Sequence, residues 1–365
     1  MAAVRFLWQN FAHLTNTILS VSSENSSFPK RWLLDPLKTM KWRSKTGWTV
    51  IAGVNDKIDV LGSGAGAATI VFGYYATGAL YAVAVQAALQ ALWANAWSVT
   101  YDAATHKLRI TGTSNFGFGF GTGANLATSA SIDLGWTAAD VSVTVNDLTA
   151  PRAVYQSRQY ITFDLGSALE VRAVVLAGIQ SLTLNGVIRV QLNAANAWTA
   201  PTYNQSAGGA SQKDDIFSHW LLTPQTLRWI RIVIDDTAQP SGYQEVGLAY
   251  VGTYLEIGGI RPGFDNSPVP LSNVQVGDTG AIFSDNKGDA DSLDALLPAV
   301  LRVEKDAMLS MHKTISARPL FFALDPTGFP TDVRYMSMLD APSFQHQEAA
   351  VERYNASFKL TEQVQ

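Results

Sequence analysis

Two glycine-rich stretches have the composition of phosphate-binding loops, but their spacing argues against that chemistry. Residues 62–67 read Gly-Ser-Gly-Ala-Gly-Ala and formally fit the fingerprint of dinucleotide-binding loops. Such a site requires a helix directly after the glycines and an acidic residue about 20 positions further on. Thr69–Tyr75 is instead β-branched and aromatic, which predicts a strand, and no acidic residue stands at the ribose position. We therefore interpret this stretch as a hairpin turn.

The second stretch, Phe116–Gly123, alternates phenylalanine with glycine. A phosphate loop would end in Gly-Lys-Ser or Gly-Lys-Thr, and neither ending is present. Because side chains alternate between the two faces of a strand, the pattern predicts a strand with its phenylalanine rings on one face.

An acidic run near the C-terminus has part of the composition of a calcium loop. Counted from Asp285, an EF-hand loop would place Ala290 where glycine is needed and Leu296 where glutamate is needed. Carboxylates before a helix are favoured by the helix dipole, so the run predicts a helix N-terminus and no metal site. Asp214-Asp215 and Asp235-Asp236 are interpreted as loop residues. The acidic run consists of Asp285, Asp289, Asp291 and Asp294.

No combination of side chains in the sequence predicts catalysis. The histidines lack the His-Glu-x-x-His or His-x-His spacing of metal sites, and no Gly-x-Ser-x-Gly elbow offers a serine nucleophile. A glycosidase needs two carboxylates facing one bond, which 30 acidic residues neither support nor exclude. We therefore expect no enzyme, no cofactor and no metal. The histidines are His13, His106, His219, His312 and His346.

The composition is that of a folded chain. Its hydrophobic fraction is 47% and its charged fraction is 15%. Its length of 365 residues is enough for two or three domains, each with a core of its own. The net charge of -4 argues against a broad phosphate-binding surface, so we expect no nucleic-acid partner; a local basic patch stays open. The absence of cysteine excludes disulfides and thiolate chemistry. No run of about 18 apolar residues and no signal-peptide core occur, so we expect no membrane insertion and synthesis in the cytoplasm.

Residues 155–201 combine short strands, an Asp-Leu-Gly turn at Asp164–Gly166, and an Asn-Ala-Ala-Asn-Ala-Trp segment that leads to Pro201. This pattern resembles the discoidin-like, galactose-binding-like β-sandwich, in particular the version found in tail and baseplate proteins of tailed phages. The resemblance implies a mainly β fold with α+β parts, built around a discoidin-like jelly-roll sandwich. Sandwiches of this type bind or assemble and supply no catalytic machinery of their own; some hold a structural calcium ion.

The N-terminal segment 22–47 also resembles these modules, in which it directly precedes the strand that begins here at Tyr160. About a hundred residues intervene in this chain, which is roughly the size of a domain. The sequence therefore predicts a sandwich formed by residues 1–48 and 154–258 and split by an inserted α+β domain at 49–153. Insertion into a surface loop is tolerated because the ends of a domain often lie close together.

Periodicity predicts the elements of the two remaining parts. In the insert, Leu80–Trp93 reads as a helix whose apolar face includes Leu80, Val83, Ala84, Ala87 and Leu92. Residues 259–365 are predicted to begin with a linker near Arg261 and to form a C-terminal strand–helix–strand assembly region, an α/β unit. Its helix is predicted at Leu293–Ile315. Residues 352–363 resemble the ends of tail-tube and baseplate proteins.

Four tryptophans are the best candidates for contact with a carbohydrate, because aromatic rings pack against flat apolar faces of ligands. They are Trp42, Trp48, Trp198 and Trp220. The competing interpretation, which we favour, makes Trp42 and Trp198 core or rim residues of the sandwich, because both lie within its structural motifs.

The resemblance implies a virion protein, made in the host cytoplasm, that assembles into the tail tip or baseplate. We expect a homo-oligomeric ring of three or six copies that joins the tail tube to the host-recognition apparatus and contacts other phage tail and baseplate proteins. Edge strands with unpaired backbone groups would supply contacts between copies. One alternative is a carbohydrate-binding adhesin that recognises host surface saccharide. Another is a depolymerase of surface polysaccharide, which would need two close carboxylates in a groove.

Overall fold

The computed structural model describes residues 3–36, 39–208, 212–258, 265–270, 273–276, 282–285, 289–316, 318–346 and 352–363. Strands dominate these residues and form large antiparallel sheets, which confirms the predicted mainly β fold with α+β parts. The linker expected near Arg261 lies outside the described residues. No helix in the described ranges is both long enough and apolar enough to cross a membrane.

The segment before the insert forms β1 (Ala3–Asn10), β2 (Ile18–Val21) and β3 (Trp42–Arg43), with 3-10 turns at Phe11–His13 and Lys30–Leu34. Each of these strands pairs with strands that follow the insert in the sequence. The backbone groups of the early segment therefore find their hydrogen-bond partners in strands that follow the insert, as expected for a domain that is split in sequence.

The insert has a sheet and a core of its own. Its named strands pair among themselves, and its core cluster runs from Trp48 to Val154. The glycine stretch forms the predicted turn between β5 and β6, and Phe116 and Phe118 are both fully buried, as their alternation predicts. The elements are β4 (Trp48–Val50), β5 (Lys57–Gly62), β6 (Gly66–Thr69), β7 (Gly73–Tyr75), α1 (Gly78–Leu92), β8 (Ser98–Asp102), β9 (Lys107–Phe118), 3-10 turns at Leu126–Thr128 and Ile132–Leu134, and β10 (Val141–Thr149).

The helix α1 is present, but its predicted buried face is wrong. Thr77 caps the helix, and its hydroxyl oxygen accepts a hydrogen bond from the Leu80 amide at 3.3 Å. Leu80 and Val83, placed on the core face by the sequence, are 54% and 65% exposed. The helix contains no charged residue, so its hydrophobic pattern does not single out one face. Its buried side chains are Tyr81, Ala82, Val85, Ala88 and Leu89.

After the insert, two long strands build most of the sandwich. β11 (Gln159–Ala177) and β15 (Ile216–Asp235) pair along almost their whole length, and the pairing shifts register beside Gly166. Gly166 has a φ of 75°, a conformation that favours glycine. Side chains from both halves of each long strand enter one core, so the bent strands serve both layers. The other strands are β12 (Val187–Asn193), β13 (Tyr203–Gly208), β14 (Gln212–Lys213), β16 (Glu245–Val246) and β17 (Leu248–Gly258).

The C-terminal region packs one helix, α2, against antiparallel strands. Met308, Met311 and Ile315 of α2 are buried in a core that also receives Val4 and Phe6 of β1. The elements are β18 (Asp265–Pro270), β19 (Asn273–Val276), β20 (Ile282–Asp285), β21 (Asp289–Leu301), α2 (Arg302–Ile315), β22 (Leu320–Ala323), β23 (Val333–Ser337), β24 (Ser343–His346) and β25 (Arg353–Glu362).

The first part of the predicted helix Leu293–Ile315 is wrong, because those residues belong to β21. Leu293, Ala295 and Leu297 are buried while the residues between them are exposed, which is the period of a strand. The pairing with β25 shifts register directly after Leu297, where Pro298 follows. Proline is tolerated in a strand at such an irregularity because the ladder is already interrupted there.

The acidic run is therefore not the N-terminus of a helix, and that interpretation is also wrong. Asp291 and Asp294 are strand residues, and they pair with Arg334 at 2.9 Å and with Lys359 at 3.9 Å. Within the described part of the chain, no three His, Asp or Glu side chains gather as metal ligands.

A continuous sheet joins the sandwich to the C-terminal region. Its order is β13-β12-β15-β11-β17-β1-β22-β23-β25-β21-β18, with β2, β14 and β24 at its margins. The link is β1, which pairs with β17 on one side and with β22 on the other. The first strand of the chain is therefore shared by the sandwich and the C-terminal region.

A buried ion pair fastens the insert to the sandwich. Asp133, in the insert, is 1% exposed and accepts hydrogen bonds from the Arg158 amide at 2.7 Å and from its Nη2 at 3.1 Å. Asn55 Nδ2 donates a further bond to this carboxylate at 2.9 Å, and Arg158 Nη2 also donates to the Ser129 carbonyl at 2.5 Å. Burial is the largest single influence on Arg158 and opposes its charge, but Asp133, Tyr160 and Asp235 together outweigh it, so the pKa of Arg158 lies above its ordinary value.

We predict that Asp133→Ala lowers the free energy of unfolding by about 3–5 kcal/mol, because it leaves the Arg158 guanidinium buried and unpaired. Chemical denaturation followed by tryptophan fluorescence measures the change. Asp147→Ala is the matched control, since it removes an exposed ion pair with Arg109 in the same insert. We expect the control to unfold close to the parent midpoint. Equal losses in the two variants would contradict the assignment.

Candidate functional site

Two of the candidate tryptophans are buried and offer no ring face to a ligand. Trp42 is fully buried in the sandwich core, where its Nε1 donates to the Ser23 carbonyl at 3.2 Å. Trp48 is 3% exposed in the core of the insert and stacks on Tyr81 with 5.6 Å between ring centroids. Both rings contribute apolar contact area to a core, and we remove them from the set of candidate carbohydrate contacts.

Trp220 lies where the sandwich meets the C-terminal region. Its Nε1 donates to the Pro330 carbonyl at 2.8 Å, and the Ser218 hydroxyl donates to the same oxygen at 2.8 Å. The guanidinium of Arg5 lies over the Trp220 ring, with 4.9 Å from its Cζ to the ring centroid. Trp220 thus connects β15 with the segment between β22 and β23, and its half-buried ring is committed to that contact.

Trp198 lies over a polar surface on the outside of the sandwich, which we call the polar face. In β15, Ile230, Ile232 and Ile234 point into the core, so Arg231 between them points outward. Backbone pairing aligns Arg231 with Thr162 of β11 and Gln191 of β12, and continues the row to the next strand on each side. The central row of the polar face is Ser20, Thr162, Arg231, Gln191 and Asn204.

Arg231 is the unusual member of this row. It is 9% exposed, and its guanidinium Cζ lies 4.8 Å from the ring centroid of Tyr160 and 4.7 Å from that of Trp198. Its Nε is buried without a hydrogen-bond partner, and no ion pair with Arg231 occurs among the described residues. Burial lowers the pKa of Arg231 to about 10, so the group still carries its charge at neutral pH.

Gln191, which pairs with Arg231 on the adjacent strand, has a buried acceptor that makes no hydrogen bond. Gln191 is 6% exposed, and its Oε1 has no partner, while its Nε2 donates to Asn204 Oδ1 at 3.3 Å. A buried donor and a buried acceptor therefore stand unbonded at paired positions of adjacent strands. Each such group costs free energy unless a water or a ligand bonds to it, so we take the pair as the centre of the candidate binding site.

The indole N–H of Trp198 makes its hydrogen bond within its own loop and none to the polar face. The indole Nε1 donates to Asn196 Oδ1 at 2.7 Å, within the same loop. Asn193 Nδ2 donates to the Ala197 carbonyl at 2.5 Å, and its Oδ1 accepts from the Thr202 hydroxyl at 3.0 Å. The Trp198 ring meets the sheet through its contact with the Arg231 guanidinium, which an incoming ring could share or replace.

The sequence named Trp198 as a candidate carbohydrate contact, with a core or rim role as the favoured interpretation, and it did not single out Arg231 or Gln191. The dense run around Trp229–Ile234 predicts a buried strand. Arg231, a cation between two isoleucines of that run, could have indicated an outward-facing functional position. A charge at an alternate position of an otherwise apolar strand marks the outward face. That this outward face is itself covered, by Trp198, follows only from the path of the loop.

A cleft of about 300 Å³ between the insert and the sandwich holds the adjacent carboxylates Asp235 and Asp236. They are 8% and 2% exposed. Asp235 is the last residue of β15, so its interpretation as a loop residue is wrong, whereas Asp236 lies in the loop that follows, as expected. Burial raises the pKa of both. The Thr183 amide and hydroxyl donate to Asp236, and Arg189 lies 3.5 Å from Asp235 Oδ2, while Asp235 Oδ1 has no hydrogen-bond partner in the described chain.

A second cavity, of about 460 Å³, lies where β1, the sandwich and the C-terminal region meet. Its walls are mostly apolar, and His13 and Arg318 are among its polar groups. Burial lowers the pKa of His13, and the charge of Arg318 acts in the same direction. The residues that line it include no carboxylate, so the cavity offers no acid–base pair for hydrolysis.

No protein-family model matches this chain, and no curated protein matches it. Among solved structures, it is similar to CpGH89CBM32-6 of Clostridium perfringens, at 12% identity over 26% of this chain and 68% of that chain, with a TM-score of 0.20. It is also similar to chitosan-binding module 1 of a chitosanase/glucanase from Paenibacillus sp. IK-5, at 19% identity over 27% and 70%, with a TM-score of 0.20. The CBM32 of AlyQ in complex with 4,5-unsaturated mannuronic acid matches at 24% identity over 26% and 76%, with a TM-score of 0.20. At such TM-scores the likeness carries no argument about what this chain binds.

We predict that Arg231→Met leaves the free energy of unfolding unchanged or raises it by about 1–2 kcal/mol, because methionine fills the space between the two rings without burying a charge. Arg158→Met is the matched comparison and should lower the same quantity by about 3–5 kcal/mol, because Asp133 is then left without its partner. Denaturant titration of both variants measures the difference. A large loss in Arg231→Met would mean that the Arg231 charge is compensated in the folded protein.

Proposed function

We propose that this protein binds saccharide on the polar face of its sandwich. The observation that carries the proposal is the pair of buried, unbonded polar groups, Arg231 Nε and Gln191 Oε1, at paired strand positions, with the ring of Trp198 against Arg231. Saccharides present hydroxyl groups that both donate and accept, together with flat C–H faces. A row of hydroxyl, amide and guanidinium side chains beside an aromatic ring is complementary to both properties.

The ends of the row are open to solvent, which supports access from the side. Ser20 and Asn204 are exposed, whereas Thr162, Arg231 and Gln191 between them are buried. A sugar ring that enters from either end would meet exposed hydrogen-bonding groups first and the unbonded pair at the centre. Occupying the centre would satisfy groups whose isolation costs free energy in the empty protein.

We propose a binding protein and not an enzyme. The carboxylates that a depolymerase would need have their nearest match in Asp235 and Asp236, in the cleft beside the insert. Both oxygens of Asp236 accept hydrogen bonds from Thr183, which supports a structural role for that residue.

A second candidate function is assembly into the tail tip or baseplate of a phage virion, proposed from the sequence resemblance. In this proposal the chain forms a ring of three or six copies among other tail proteins. The surface of the insert supports it: α1 has no charged residue, and Val83 is 65% exposed on it. Val71 and Phe72, between β6 and β7, are 66% and 71% exposed. These exposed apolar side chains are available for contact with another copy or another protein.

Saccharide binding is tested with Trp198→Ala on a glycan array, followed by titration calorimetry with the glycan that the parent binds. We expect affinity to fall by about tenfold or more, because the aromatic stacking surface is lost. Trp220→Phe is the control: it removes the indole donor to Pro330 but leaves the polar face intact, so affinity should be unchanged. Parent protein that binds no glycan on the array, or binding that depends on Trp220 and not on Trp198, would refute the proposal.

Assembly is tested by light scattering of the purified parent and of Val83→Lys. We expect a mass of three or six copies for the parent and a smaller mass for the variant, because a charge on the apolar face of α1 opposes its burial between copies. Arg109→Gln, an exposed charge change elsewhere in the insert, is a control that should keep the parent mass. A monomeric parent, or a variant with the parent mass, would count against α1 as the contact surface.

A further inference from the structure

The geometry points to a carboxylated saccharide, a sugar of the hexuronate class, as the ligand of the polar face, with its carboxylate bound by Arg231. This inference rests on the proposed function and adds the chemical class of the ligand. It follows from three features of the site: an unbalanced charge, a guanidinium with unused donors, and neutral hydrogen-bonding groups around it.

Arg231 has no carboxylate partner among the described residues, unlike three other arginines near the polar face. Arg158 is paired with Asp133 at 3.1 Å, and Arg189 is paired with Asp235 at 3.5 Å. At the edge of the face, Arg228 is paired with Asp164 at 2.6 Å. Among the described residues Arg231 is left without a carboxylate, and the charged group that acts on it at neutral pH is Arg158, which has the same sign. Asp236, the other buried carboxylate of this region, accepts hydrogen bonds from Thr183 and does not act on Arg231, so a ligand carboxylate would be the first anion to pair with Arg231.

The position of Arg231 between two rings favours a planar anion. Tyr160 and Trp198 contact the guanidinium within 4.8 Å of their ring centroids. These contacts use the π-faces of the rings and none of the guanidinium hydrogen bonds. A guanidinium donates through N–H groups in a fixed fork, which matches the two oxygens of a carboxylate. The unbonded Nε is one arm of such a fork.

The surroundings of Arg231 favour a carboxylate that is attached to a sugar ring. Tyr160 has its pKa raised to about 12, mainly by burial, so it is neutral and does not repel an anion. Gln191 Oε1, the unbonded acceptor, needs a donor, which a carboxylate lacks and a sugar hydroxyl provides. A hexuronate carries both groups on one ring. Sulfate, which has no hydrogen-bond donor, would satisfy Arg231 and leave Gln191 unbonded.

The test compares two ligands that differ only at the carboxyl group, which is ionised in one and methyl-esterified in the other. Titration calorimetry of the parent at low salt uses an oligogalacturonate and its fully methyl-esterified form. We expect the acid to bind about tenfold more tightly than the ester, because a charge-assisted pair forms with the acid. In Arg231→Gln the two ligands should bind equally, and in Arg231→Lys part of the preference should remain, because the charge persists without the fork. Arg172→Gln, which removes a cation paired with Glu170 on another strand face, should keep the full preference.

The outcomes distinguish failure of the hexuronate inference from failure of saccharide binding itself. A parent that binds acid and ester equally, or an Arg231→Gln variant that keeps the preference, would overturn the inference and leave saccharide binding in place. A parent that binds neither form but binds a neutral glycan through Trp198 would do the same. Binding of no glycan of any kind would overturn both. A preference for the acid that high salt abolishes in the parent and that Arg231→Gln lacks would support the inference.

Discussion

The ion pair between Asp133 and Arg158 is the contact on which the arrangement of the sandwich depends. It lies where the chain leaves the insert, and Arg158 directly precedes β11, the strand around which the sandwich is built. The start of β11 is therefore held at a fixed point against the insert. Tyr160, two residues further on, is the ring that supports Arg231 on the polar face. One buried contact thus anchors the start of the central strand two residues before a ring of the candidate site.

Arg158 and Arg231 show how the same residue type serves two ends. Arg158 is buried with a carboxylate that accepts bonds from its amide and its side chain, and this raises its pKa. Arg231 is buried between rings with no carboxylate, and this lowers its pKa. A paired buried charge holds parts of the chain together, whereas an unpaired one costs stability and is expected where it binds something. Arg158 therefore has a structural role, and Arg231 is the candidate for binding a ligand.

The split of the sandwich shapes how the rest of the structure is completed. β1, β2 and β3 pair with strands that follow the insert, so the loop between the halves must close before those pairs form. The insert has local strand pairs and its own core, and it therefore holds the two ends of that loop close together. β1 then extends the same sheet into the C-terminal region, which ties the first residues of the chain to nearly the last.

The sequence by itself determined the mainly β class, the α+β insert and the roles of its glycine and phenylalanine motifs, because these depend on local periodicity and turn chemistry. It misplaced the face of α1, since a helix without charges gives no local reason to prefer one face. It also extended α2 into β21, where only pairing with β25 distinguishes a strand. The candidate site was decided by tertiary structure alone: Arg231 and Gln191 come from strands about forty residues apart, and strand pairing brings them together. Whether a buried charge has a partner depends on what the fold places beside it, and no local pattern contains that information.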